Sequence, residues 1–164
     1  PAEMKAVAAA LGGKVLRQFK VQQLIEKLPE VREKTSDRAV MRALHYYDEN
    51  ERVKACYQAI EEGNLDAFLQ NIILSGESSW KMLQNLYVGG KCEQSLALAC
   101  ALSERMLKGS GAWRVHGGGF AGTILAFVPH YKLDAYVQQM DAVFGKGACT
   151  VLGIRPVGAK KVEL

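Results

Sequence analysis

Apolar residues recur at helical spacing over about the first 108 positions and at strand spacing after them. Glu3 to Leu11 is alanine-rich and stops at Gly12-Gly13, and a shorter segment around Val21 to Leu28 ends at Pro29. Thr35-Ser36-Asp37 offers capping oxygens, so a long helix is predicted from Arg38 to Glu62, closed by Gly63. Asn64 caps the next, in which Leu65, Phe68, Leu69, Ile72 and Ile73 fall at i, i+3, i+4, i+7 and i+8. Further helices are predicted near Ser78 to Leu86 and, after Gly89-Gly90, over Cys92 to Lys108.

The period changes at Gly109-Ser110-Gly111. Ala112 to His116 alternates as a strand with Trp113 and Val115 on one face. After the glycines of 117–122, Thr123 to Val128 is an unbroken apolar run that predicts a strand covered on both faces. Leu133, Tyr136, Val137, Met140, Val143 and Phe144 form one helical stripe opposite Asp134, Gln138 and Asp141, and this helix should lie on the sheet. Cys149 to Ile154 reads as a third strand and Lys161 to Leu164 as a short fourth. Helices first (about 1–108) and a small antiparallel β-β-α-β part last (about 109–164) make the fold class α+β rather than doubly wound α/β.

At 164 residues, 49% hydrophobic and 23% charged, the chain is of single-domain size with the composition of an ordinary globular protein. It needs no metal or disulfide staple. The net charge of +4 comes from scattered basic residues, with no run longer than Lys160-Lys161, so a nucleic-acid footprint is not expected. No apolar run approaches the roughly 20 residues that span a bilayer, so no membrane partner is expected. Cys56, Cys92, Cys100 and Cys149 lack C-x-x-C spacing, which argues against a zinc site. Each of the four lies in an apolar or helical stretch, the usual setting of buried reduced thiols, and this points to a cytoplasmic compartment. The sequence opens on Pro1 with neither an initiator Met nor a signal peptide, which suggests a piece of something longer.

Gly117-x-Gly119-x-x-Gly122 spells G-x-G-x-x-G, but strand-forming residues follow it where a dinucleotide-binding loop requires a helix. Taken alone, the run is first a turn where the backbone bends or another backbone comes close. Its second meaning is a concave surface of N–H donors able to accept an anion. His45, Glu49 and Arg52, at i, i+4 and i+7, form a polar stripe whose plainest account is an exposed ion pair. His116 is either a site residue or a solvent-facing strand end, and Trp80 and Trp113 are core or edge anchors. No Ser-His-Asp, Cys-His or paired-carboxylate arrangement stands out.

Several segments in order carry a resemblance. Gly111-Ala112-Trp113-Arg114-Val115-His116-Gly117-Gly118-Gly119-Phe120-Ala121-Gly122-Thr123 resembles the C-terminal glycine signature of galactokinases, in the GHMP small-molecule kinase superfamily, roughly G-S-R-M-T-G-G-G-F-G-G-C. Arg42 to Val53 is similar to that family's R-A-x-H-V-V-x-E-x-x-R helix, and Gly63 to Phe68 to its G-D-x-x-x-F turn. Ser75-Gly76-Glu77-Ser78 stands where the family usually has S-H-x-S. Ala9-Ala10-Leu11-Gly12 and Gly158-Ala159-Lys160-Lys161-Val162 resemble its A-L-G and its G-A-x-V ending. The likeness runs from about Met4 to Leu164. Ala121 departs from a glycine, Thr123 from a cysteine, His116 from a threonine or serine, and Gly76 from a histidine.

The resemblance implies the C-terminal, ferredoxin-like domain of a GHMP kinase, spanning 1–164. The family's R-x-N-x-x-G-E-H-x-D sugar segment and P-x-G-x-G-L-S-S-S phosphate loop do not occur, so the ATP- and sugar-binding N-terminal domain is absent. The implied reaction is transfer of the ATP γ-phosphoryl group to the anomeric hydroxyl of galactose or a related sugar, with Mg²⁺ between the phosphates. By resemblance, Gly117, Gly118, Gly119, Phe120, Ala121 and Gly122 shape the nucleotide site. Catalytic side chains and any metal ligand would belong to the missing half, the implied partner, and the 164-residue chain would be inactive alone. Separated from that half, it is expected to pair as a homodimer. The alternative is a free-standing α+β ligand-binding or regulatory module of the same architecture.

Overall fold

Helix starts in this chain are fixed by local chemistry. In the computed structural model, which describes every residue except Ala121, Arg155, Ala159, Lys160 and 162–164, Ser36 Oγ accepts the Ala39 N–H at 3.1 Å and opens the 25-residue helix α4, Asp37–Glu61. Asn64 Oδ1 accepts the Ala67 N–H at 3.0 Å and opens α5, Leu65–Ser78. Before them come α1 (Ala2–Ala10), α2 (Val21–Glu26) and α3 (Leu28–Lys34). Pro29 was expected to end a helix, and it instead lies in the first turn of α3. A proline there gives up no helical hydrogen bond and its φ is already helical.

The helix expected over 78–86 is a continuation of α5. It runs on as a π-helical turn, Ser79–Leu83, and stops at Gln84, whose φ of 55° is left-handed. Helix α6 (Ser95–Leu107) leads into strand β1 (Ala112–His116), which pairs antiparallel with β2 (Thr123–Phe127), Ala112 opposite Phe127 and His116 opposite Thr123. Helix α7 (Leu133–Phe144) follows and buries Tyr136 and Met140 from its predicted stripe.

Two compact units divide at residue 128, Pro1–Val128 and Pro129–Leu164. Within the first, one apolar cluster gathers Val7, Ala8, Leu24, Val31, Ala39, Val40 and Ala43 from α1 to α4, with Leu11 and Leu16 from the segment between α1 and α2. Elsewhere in it α5 and α6 both pack against β1, whose Trp113 and Val115 are buried as the alternation predicted, with Ala112 buried as well.

The α+β class stands, but the sheet is smaller than expected. Among the described residues β1 is the only strand paired with β2, whose residues are exposed or half-buried rather than covered on both faces. Cys149 to Ile154 forms no strand: the N–H groups of Gly147 and Cys149 donate to the Asp141 carboxylate, at 2.9 and 3.2 Å, and Val151, Leu152 and Ile154 stay exposed. The fourth strand proposed for 161–164 falls, apart from Lys161, outside the described residues. Of the cysteines, only Cys100 is buried, Cys56 and Cys149 are half-buried, and Cys92 is exposed. Among the described residues no helix is long and apolar enough to cross a membrane.

Candidate functional site

Residues 117–122 join β1 to β2, and three of them adopt left-handed backbone: Gly117 (φ 66°), Gly119 (φ 77°) and Phe120 (φ 62°). For a phenylalanine this conformation is costly, so something must hold it. The holder is Asn85, which follows the left-handed Gln84. Its carbonyl oxygen accepts the Phe120 N–H at 2.5 Å, and its Nδ2 donates to the Gly118 carbonyl at 3.3 Å. A Cβ on Gly119 would lie 2.1 Å from that same Asn85 carbonyl oxygen, so only glycine fits. The close backbone approach that the glycine run suggested is thus real, and its partner is inside this chain.

Beyond the clamp the loop is open. A Cβ at Gly117 or Gly118 would meet nothing within 4 Å, so bare backbone faces free space there. The N–H groups of Phe120 and Gly122 are engaged internally, the latter with the Gly119 carbonyl at 3.2 Å. What an incoming anion could approach is therefore the stretch around Gly117 and Gly118. Ala121 lies outside the described residues, and His116, at the end of β1, is exposed.

The polar stripe of α4 is not the exposed ion pair expected. Glu49 is partly buried and receives a 2.8 Å bond from Arg52 Nε, a short hydrogen bond from the Ser75 hydroxyl, and the Arg114 guanidinium at 3.5 Å. His45 is 93% removed from solvent, with Nδ1 at 2.9 Å from Ser78 Oγ. Burial would raise the Glu49 carboxyl, but the bonds from Ser75 and Arg52 and the charges of Arg52 and Arg114 together hold it below its ordinary value. Burial pushes His45 down, with Arg52 and Arg114 acting the same way and Glu49 and Asp48 opposing. This cluster ties α4 and α5 to β1, the strand that carries the glycine loop. Its His45 and Glu49 also line an open groove of about 260 Å³ with Met4, Tyr46 and Leu83.

Asn85 and Arg114 were missed as site residues: nothing in its immediate sequence marks Asn85, and Arg114, although inside the glycine-signature run, was given no role. Gly76 did carry a signal: a glycine inside a helix costs about 1 kcal/mol against alanine and needs a packing reason. A Cβ there would sit 2.9 Å from Arg114 Cβ and 3.0 Å from the Trp113 carbonyl, so α5 crosses β1 at glycine. Trp113 is the buried anchor expected, whereas Trp80 is exposed. Among the described residues no three His, Cys, Asp or Glu side chains group as metal ligands.

No protein-family profile matches the chain. Curated relatives do. A galactokinase of Thermotoga neapolitana is 33% identical over 142 residues, 87% of this chain and 36% of its own length. That of Mannheimia succiniciproducens is 29% identical over 132 residues, covering 80% and 32%, and that of Enterococcus faecalis 32% identical over 101 residues, covering 62% and 24%. The chain thus spans about a third or less of the length of most of the relatives it matches.

Proposed function

We infer, from the chain's membership of the galactokinase family over up to 87% of its length, that it is the C-terminal part of a sugar kinase. The complete enzyme would transfer the γ-phosphoryl group of ATP to the anomeric hydroxyl of galactose or a related sugar. The observation that carries this reading is the glycine loop, which sits at the turn of a hairpin with the backbone of Gly117 and Gly118 bare and open.

In phosphoryl transfer the protein mainly positions groups and stabilises charge. ATP supplies the transferable phosphoryl group, and Mg²⁺ neutralises the phosphates. The residues present fit part of that task. Two glycines with no side chain let a phosphate oxygen approach main-chain N–H groups, and the clamp by Asn85 keeps them in one arrangement before the nucleotide arrives. Among the described residues no three His, Cys, Asp or Glu side chains group together, and the ligands for Mg²⁺ are assigned to the phosphates and the rest of the enzyme. The base toward the sugar hydroxyl is likewise assigned to the other part.

The test is an assay of the full-length gene product with ATP and a panel of hexoses, beside the 164-residue chain alone. Sugar-1-phosphate formation by the former and none above a buffer blank by the latter is the expected pair of results. Turnover by the short chain would overturn the fragment reading, and no phosphorylation of any hexose by the full-length protein would turn the assignment toward a ligand-binding module.

A further inference from the structure

We propose that Asn85 is a positioning residue for phosphoryl transfer, holding the glycine loop in its nucleotide-ready form; the proposal rests on the kinase reading above. Two groups of Asn85, the main-chain carbonyl and the side-chain amide, converge on the loop. Its main-chain carbonyl accepts the Phe120 N–H at 2.5 Å, its side-chain Nδ2 donates to the Gly118 carbonyl at 3.3 Å, and its carbonyl oxygen occupies the space that a Cβ on Gly119 would need. One residue thus touches three consecutive loop positions, and Phe120 is held in a left-handed conformation that it would not adopt freely.

The cost of keeping an asparagine here points away from a purely structural role. Asn85 is 94% buried, and its Oδ1 has no hydrogen-bond partner. A buried acceptor left unpaired is a penalty that leucine, of similar size, would avoid. Breaking the rule of polar satisfaction beside a loop with bare backbone is the pattern expected where stability yields to positioning. Displacement of bound groups by about 1 Å is enough to lower a rate on the order of a hundredfold.

Asn85→Leu and Asn85→Asp, made in the full-length protein, test this. Leucine removes both the donor and the unpaired acceptor, and aspartate keeps the shape while replacing the donor with an oxygen that repels the Gly118 carbonyl. The expected result is a melting temperature of Asn85→Leu at or above the parent's, a kcat/KM for ATP at least tenfold lower in both variants, and a sugar KM within twofold of the parent's. Hydrogen exchange of the 117–122 segment should accelerate at least tenfold. A merely structural residue would give a reduced melting temperature with unchanged kinetics in the folded fraction, which overturns the proposal, as does unchanged exchange in both variants. If the parent protein phosphorylates no hexose, the kinase reading fails by itself and exchange alone decides the clamp: acceleration upholds it and its absence overturns it.

Discussion

His45 and Glu49 show how burial sets the behaviour of single residues. A histidine whose folded value lies below its ordinary 6.5 stays neutral in the protein while the unfolded chain takes up a proton. The unfolded state then binds more protons, so stability is lost as pH falls below about 6.5 and levels off only below the folded value. The groups that bear on His45 are Asp48, Glu49 and Arg52 of its own helix, Arg114 of β1 and the Ser78 hydroxyl of α5. Glu49 adds a second loss at lower pH: its folded value is depressed from 4.5, so its contribution is complete above 4.5 and disappears as pH falls through the folded value. Denaturant midpoints measured from pH 7.5 to 5.5 should therefore decline in the parent and run nearly flat in His45→Gln. An equal slope in both would mean that His45 is not buried as described. None of this was legible in the sequence, where the stripe looked like a solvated ion pair. The partners that bury it come from far along the chain, Ser75 at a separation of 26 residues from Glu49 and Arg114 at 65.

Among the elements, the crossing of α5 over β1 turns on one atom that Gly76 lacks. On helix propensity alone Gly76→Ala would gain about 1 kcal/mol. The added methyl would instead press on Arg114 and the Trp113 carbonyl, both within about 3 Å, and overpacking of this kind costs roughly 1–3 kcal/mol. The expected outcome is a destabilised variant by chemical denaturation, and a stabilised one would show that α5 and β1 are not in contact there. Histidine, the usual family residue at this place, would demand a larger separation of helix and strand. Elements governed by local chemistry were readable from sequence: Ser36 and Asn64 start helices as their side chains predict, and Trp113 and Val115 face inward by strand alternation. Elements whose fate depends on distant partners were not. Pro29 has the same spelling at the start of one helix as after the end of another, and 149–154 has strand composition but its first residue, Cys149, gives its N–H to Asp141. The glycine loop was visible as a motif, yet the residue that gives it shape, Asn85, sits 33 positions upstream of Gly118.

For the molecule as a whole, the apolar surface left uncovered bears on what the chain does when it is isolated. On the C-terminal half of α4, Val53, Tyr57 and Ile60 lie at i, i+4 and i+7, and each is more than 60% exposed, as is Leu65 at the start of α5. Three large apolar side chains on one helix face exceed the scattered single residues found on ordinary surfaces. Interfaces between domains of one chain cover about 600–1,500 Å², and this chain accounts for only 24–36% of the length of the relatives described above. Val53, Tyr57 and Ile60 make an exposed apolar stripe of this kind on α4. A second copy can cover that stripe with its own, since a two-fold axis pairs one patch with itself. The 164-residue chain is therefore expected to form a dimer whose fraction rises with concentration in sedimentation velocity, and Tyr57→Lys with Ile60→Glu should return it to monomer without lowering its melting temperature by more than a few degrees. A parent chain that sediments as a monomer across the full concentration range would contradict this, as would a dimer unaffected by the double substitution.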